Sequence, residues 1–225
     1  MRPRQASQKV RVGVTIQYAS PARPVCCAKD ERVANRTPHP DLKYNLGLIG
    51  GRGCGKTSIA KRLARCNRNF MLFSLDSLIR YESRADTIAE IVRREGWQGF
   101  RDLEYVVTKR ASAFEGGALI DCGGGVVVDL DASGHEIFSQ RKVDALRRHG
   151  LLVYLKRDTE YLLSRVGKDP NRPALSQSES FEQIMARRHP WYERAADIVL
   201  ECGNRHKEDL AEEILAWFYQ RNEIA

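Results

Sequence analysis

The chain has 225 residues, enough for one domain with a substantial core and too few for two of ordinary size. Its formal net charge of +8 is concentrated near the start, where residues 1–43 carry nine Lys/Arg against three Asp/Glu; the remainder carries 28 against 26, which argues against a basic nucleic-acid-binding face. No apolar run approaches the roughly 18 residues of a membrane helix, and the six cysteines (Cys26, Cys27, Cys54, Cys66, Cys122, Cys202) form no C-x-x-C pair, so a soluble cytoplasmic monomer without membrane or nucleic-acid partners is expected.

In chain order, residues 1–42 contain Pro3, Pro21, Pro24, Pro38 and Pro40, scattered basic residues and one strand-like fragment at 10–18. They read as a disordered, dispensable extension preceding a domain at 43–225. In that domain, short apolar stretches at 46–49, 71–75, 118–121, 151–155 and 198–200 suit parallel strands buried on both faces. Helical periodicity separates them at 58–66, 77–94, 100–114, 135–148, 159–166, 181–195 and 207–220. The βαβα alternation predicts an α/β fold, a doubly wound five-stranded parallel sheet flanked by helices, with ligands at the carboxyl ends of the strands. In the last helix Leu210, Ile214 and Phe218 recur on one face, as docking on the sheet requires.

The segment GGRGCGKT at 50–57 matches G-x-x-x-x-G-K-[ST] between a strand and a helix, the context that gives this motif its meaning. Gly51, Gly53 and Gly55, with Cys54 among them, let successive backbone N–H groups converge on phosphate oxygens. Lys56 is expected to reach the β and γ phosphates of a nucleoside triphosphate, and Thr57 to offer its hydroxyl to Mg²⁺ at the head of the helix continued by Ser58.

What receives the phosphoryl group must be read from other strand ends. FSLDSL places Asp76 after the second strand, GFRDLE places Arg101 early in a helix, and IDCGGGVV puts Gly123, Gly124 and Gly125 after the third strand. RRHPWYERAAD leaves Arg188 exposed at a helix end set by Pro190. Two guanidiniums can take a small carboxylate, a carboxylate can orient a hydroxyl, and bare glycine backbone lets a polyol lie close. Singly these residues have plainer readings: Arg101 on a solvated face, Arg188 capping a helix C-terminus, Asp76 as an N-cap. Occurring together they describe one site. The polar stretch GKDPNRPALSQSES, with two prolines, reads at about 167–179 as either a mobile flap or an ordinary surface loop, with Arg172 in it.

From residue 45 to about 220 these motifs, in this order, resemble a shikimate kinase. The resemblance implies that ATP is the donor, shikimate the acceptor and shikimate 3-phosphate the product, in aromatic amino-acid biosynthesis. It implies that Asp76 contacts the reacting hydroxyl as base or orienter, that Arg101 and Arg188 hold the carboxylate, and that Gly123 to Gly125 line the acceptor pocket. It also implies that the flap is a mobile lid whose Arg172 meets the transferring phosphoryl group and that Arg165 packs near the adenine. The chain departs from the family at Ser74, where the first acid of an Asp-x-Asp pair is usual, and at Ala174 beside the lid arginine. Asp121, ending the apolar run ALID as a Walker B-type acid does, is the expected substitute in holding Mg²⁺ with Thr57. Two other readings remain open: a gluconate or nucleoside monophosphate kinase of the same architecture, and a non-catalytic regulator.

Overall fold

Five apolar stretches too short for helices line up as one sheet in the computed structural model, which describes residues 42–166 and 179–223. The expected extension and all but the last residue of the expected lid, Arg172 included, lie outside the described residues. The strands are β1 (Asn45–Ile49), β2 (Met71–Ser74), β3 (Ala118–Asp121), β6 (Gly150–Lys156) and β7 (Ile198–Glu201), each within one residue of its expected bounds. Their order is β2-β3-β1-β6-β7 and every pairing is parallel. The helices α1 (Lys56–Cys66), α2 (Leu75–Ser83), α3 (Ile88–Ala111), α4 (Gln140–Arg147), α5 (Thr159–Val166), α6 (Phe181–Ala195) and α7 (Lys207–Glu223) flank it. None of the described helices is long and apolar enough to cross a membrane.

Central β1 is buried along its whole length, with Leu46, Leu48 and Ile49 wholly inaccessible. Each such side chain contributes about 1.5–3 kcal/mol by leaving water. Burial on both faces does not extend to β2, an edge strand whose Met71 and Leu72 are exposed. After β1 the chain builds β2 and β3 on one side of it, then crosses to build β6 and β7 on the other. The crevice at that switch point, above the ends of β1 and β3, is where open α/β sheets bind ligands. Helix α7 packs along α1, with Phe218 5.5 Å from Phe70 between ring centroids.

Three helical expectations needed correction. The helix expected at 77–94 ends at Ser83, because Arg84 turns left-handed (φ 53°), and a new helix starts after Thr87, whose hydroxyl accepts from the Glu90 amide. That helix, α3, absorbs the one expected at 100–114 and is interrupted only at Gly96 (φ 71°, ψ 175°), a conformation glycine adopts without Cβ strain. The helix expected at 135–148 is helical only from Gln140; before it comes an antiparallel hairpin of β4 (Val128–Leu130) and β5 (Glu136–Phe138). Its turn is closed by the Asp131 carboxylate, which accepts from the Ser133 and His135 amides at 2.9 Å each. Helix α6 keeps its expected bounds, running through Pro190 to Ala195, so the helix end expected at Arg188 is not there; its start is fixed by a capping box between Ser180 and Gln183.

Candidate active site

The loop from Gly50 to Gly55 joins β1 to α1, with Gly55 in the left-handed region (φ 101°) at the helix N-cap. Lys56 folds back over this loop and donates to the carbonyls of Gly50 (2.8 Å) and Gly51 (3.0 Å), with its Nζ 3.6 Å from Cys54 Sγ. Burial alone would lower its pKa, but the surrounding Cys54, Tyr192, Asp121 and Asp76 outweigh that and raise it, so the ammonium stays charged. Thr57 donates its hydroxyl to Asp121 Oδ2 at 2.7 Å. Asp121 is 6% exposed and lies in register between Leu48 on β1 and Ser74 on β2. Ser74 itself caps α2 and accepts from the Ser77 hydroxyl at 3.2 Å. The paired oxygens of Thr57 and Asp121 are hard donors of the kind Mg²⁺ takes, and no cluster of three or more His, Cys, Asp or Glu suited to a metal occurs among the described residues.

Above the loop opens a cleft of about 1030 Å³, lined by Gly53, Gly55, Lys56, Thr57, Ser58, Asp76, Asp121 and Arg165. The Arg165 side chain leans on Gly53, where an added Cβ would sit 2.8 Å from Arg165 Cβ, and its guanidinium lies 5.3 Å from the Tyr161 ring. Beside the cleft is a second cavity of about 430 Å³, lined by Asp76, Arg101, Glu104, Gly123, Gly124, Gly125 and Arg188, with Ile88, Trp97 and Phe100 as apolar walls. Asp76, Gly124 and Arg52 border both spaces. Asp76 sits in the first turn of α2, half-buried; the N-cap is Ser74.

Neither cavity arginine is on a solvated face. Arg101, 3% exposed, donates through Nη1 to Glu104 Oε2 (2.7 Å) and to the Gly125 carbonyl (3.3 Å), and lies 5.3 Å from the Trp97 ring and 5.1 Å from the Phe100 ring. Its Nε is buried with no hydrogen-bond partner among the described residues. Arg188 is 2% exposed in the body of α6, where the sequence suggested an exposed helix end. It is buried because Pro190 does not end the helix and because Glu136 pairs with it through both Nε (3.0 Å) and Nη2.

Each glycine of the triplet clears a different neighbour. An added Cβ would stand 2.9 Å from Asp76 Oδ1 at Gly123, 3.0 Å from the Arg52 amide nitrogen at Gly124, and 2.3 Å from Arg101 Nη1 at Gly125. The bare backbone thus makes room for the site's own side chains as well as for a ligand.

Several supporting residues escaped the sequence reading. Lys142, wholly buried on α4, pairs with Glu104 Oε2 at 2.7 Å and donates to the Val128 carbonyl. Burial would raise the Glu104 carboxyl, but Lys142 and Arg101 together hold it below its usual range. Glu104 had a local signal, three residues after Arg101; Lys142 and Glu136 had none, since their partners lie 38 and 52 positions away. Tyr192, one turn beyond Arg188, donates its hydroxyl to the Gly124 carbonyl and stacks on Tyr154 at 5.1 Å. Burial pushes its pKa up and keeps it a donor.

A family model described as shikimate kinase matches residues 52–219. A shikimate kinase of Leptospira biflexa is 39% identical over 173 residues, covering 77% of this chain and 94% of that protein. One from Bordetella pertussis is 33% identical over 198 residues, 86% of this chain and 85% of that protein. Among solved structures, a shikimate kinase from Acinetobacter baumannii in complex with shikimate superposes with a TM-score of 0.67 at 29% identity, over 79% of this chain and 94% of the other.

Proposed function

The chain belongs to the shikimate kinase family, and on that premise we propose that it transfers the γ-phosphoryl group of ATP to the 3-hydroxyl of shikimate. The observation that carries this reading is that Asp76 borders both the cleft holding Lys56 and Thr57 and the cavity holding Arg101 and Arg188. A hydroxyl bound at Asp76 in the smaller cavity faces a phosphate held by the loop in the larger one.

Arg101 and Arg188, which line the smaller cavity, take the shikimate carboxylate through their guanidinium donors. Asp76 accepts a hydrogen bond from the 3-hydroxyl, orienting its oxygen and receiving its proton as the new bond forms. Lys56 exchanges its loop carbonyls for the β and γ phosphate oxygens, and the amides of residues 51–58 complete the cradle. Thr57 and Asp121 hold Mg²⁺, which supplies neutralisation of charge on the phosphate oxygens when bound. Arg165 flanks the nucleotide beside Gly53, and Arg172 closes over the phosphoryl group from the lid. Holding both reactants aligned can lower a barrier by about 7–11 kcal/mol, so the protein need form no covalent intermediate. The enzyme works as a cytoplasmic monomer.

A coupled ADP-release assay with ATP, Mg²⁺ and a panel of shikimate, gluconate and nucleoside monophosphates tests the reading. Turnover is expected with shikimate alone. Turnover of gluconate or a monophosphate without shikimate would replace the acceptor, and ligand binding without ADP release would make the protein a regulator.

A further inference from the structure

Arg188 reaches its cavity already in the grip of another carboxylate. Glu136, on β5, accepts from Arg188 Nε at 3.0 Å through Oε2 and from Nη2 through Oε1, a two-point pairing that uses the side edge of the guanidinium. The same Oε2 accepts from Arg187 Nε (3.3 Å) and Nη2 (3.0 Å), and Arg187 donates onward to Glu179 at 2.5 and 2.9 Å. Burial would raise the Glu136 carboxyl; Arg188 and Arg187 hold it below its usual range, so it is an anion at neutral pH.

We propose that Glu136 is a positioning residue for the acceptor: it fixes the plane of the Arg188 guanidinium so that the remaining donors meet the acceptor carboxylate. The proposal rests on the reading above that Arg188 binds that carboxylate. An arginine side chain carries about 2 kcal/mol of rotamer entropy, and its fork is selective only when its plane is set beforehand. Among the described residues, Arg188 hydrogen-bonds Glu136, 52 positions away, and no neighbour on α6. Arg101 is held differently, by Glu104 one turn along its own helix.

The hairpin is placed for the task. It begins directly after the glycine triplet, with the Val128 amide bonded to the Gly125 carbonyl (2.9 Å) and the Ser139 amide to the Val127 carbonyl (2.9 Å). One short element therefore carries the acceptor loop at its root and the anchor of Arg188 on its return strand.

The test is Glu136→Gln, which keeps the shape and removes the charge, read beside Glu136→Asp in the full chain, with melting temperatures recorded for both. First, wild-type turnover of shikimate is measured; its absence would sink the functional reading itself. Given turnover, Glu136→Gln is expected to raise KM for shikimate about tenfold while kcat and KM for ATP stay within about twofold, and Glu136→Asp to recover part of the loss. The specific readout is the wild-type preference for shikimate over its carboxamide, in kcat/KM, which should fall about tenfold in Glu136→Gln. A structural role alone would depress both acceptors equally. An unchanged preference, or an unchanged KM for shikimate, would overturn the role of Glu136 and leave the functional reading intact.

Discussion

Gly125→Ala adds a single methyl group at the point where the acceptor loop meets Arg101. The new Cβ would stand 2.3, 2.6 and 2.8 Å from Arg101 Nη1, Nη2 and Cζ, whereas ordinary contact begins near 3.4 Å, so the guanidinium must retreat by about 1 Å. It has little room to do so. The side chain is 3% exposed, ion-paired to Glu104 at 2.7 Å and stacked near Trp97 and Phe100. Displacing a substrate-orienting group by about 1 Å can cost about 100-fold in rate, equivalent to about 2.7 kcal/mol of transition-state stabilisation. Overpacking adds a stability loss of about 1–3 kcal/mol. Gly125 is not among the residues with positive φ, so alanine brings no backbone strain and the effect is steric. Steady-state kinetics should show kcat/KM for shikimate down about 100-fold with KM for ATP unchanged. Gly134→Ala is the control: φ is 81° but nothing lies within 4 Å of an added Cβ, so it should cost about 1 kcal/mol of stability by strain and leave kcat/KM alone. A Gly125→Ala enzyme with kcat/KM for shikimate within threefold of wild type would refute the packing argument.

Replacing Asp121 by Asn removes the charge beside the Thr57 hydroxyl, and the Mg²⁺ concentration for half-maximal activity should rise about tenfold; an unchanged metal requirement would show that Asp121 has no part in it. Glu104→Gln leaves Lys142 and Arg101 buried without their shared counter-charge and should cost about 3–5 kcal/mol. Because the folded-state pKa of Glu104 lies below the ordinary 4.5, its ionised form stabilises the protein above that pH, and the contribution fades as pH falls through the folded value. Denaturation between about pH 3 and 6 should therefore have a shallower acid limb in Glu104→Gln, and an identical slope would count against the assignment. Removing residues 1–42 should leave kcat and both KM values within about twofold; abolished activity would show that the extension is not dispensable.

The phosphate loop was legible because its chemistry is contiguous: glycines, Lys56 and Thr57 stand at fixed spacing between a buried strand and a helix, and no tertiary information is needed to place them. Thr57 and Asp121 are 64 residues apart, yet they too were recoverable, since parallel strands of similar length put their carboxyl ends side by side. The hairpin was not. Its strands have three residues each, too short for an alternating pattern to register, and Val143 and Leu146, three apart on α4, give the adjoining stretch a helical period. Only the turn residues Asp131 and Gly134 announced it. Lys142 and Glu136 look like the solvated face of that imagined helix, and nothing local distinguishes a charge that points to water from one that will meet a partner in another element. Arg188 was placed at a helix end because Pro190 normally stops a helix; here packing against the sheet carries α6 past it.

The two arginines of the smaller cavity share one electrostatic design despite different anchors. Each is tied to a carboxylate that a second cation also claims: Glu104 between Arg101 and Lys142, Glu136 between Arg188 and Arg187. A carboxylate divided in this way does not exhaust either partner, and Arg101 keeps a buried Nε donor unmet. The outer cations meet further acids, Asp129 at 3.6 Å from Lys142 and also bound by Arg141 at 2.8 Å, and Glu179 at 2.5 Å from Arg187, so each cluster is near neutral overall. Arginine donors lining the cavity reward an acidic acceptor and penalise a neutral polyol by about 1–3 kcal/mol for each donor left buried and unpaired. Charge cannot separate one small hydroxy acid from another, however. That discrimination falls to the walls: Ile88, Trp97 and Phe100 give the cavity apolar faces that suit a flat ring better than an extended chain. An extended acid such as gluconate would set hydroxyls against those rings, where no hydrogen-bond partner waits, which is why a cyclic acceptor is the better match for this cavity.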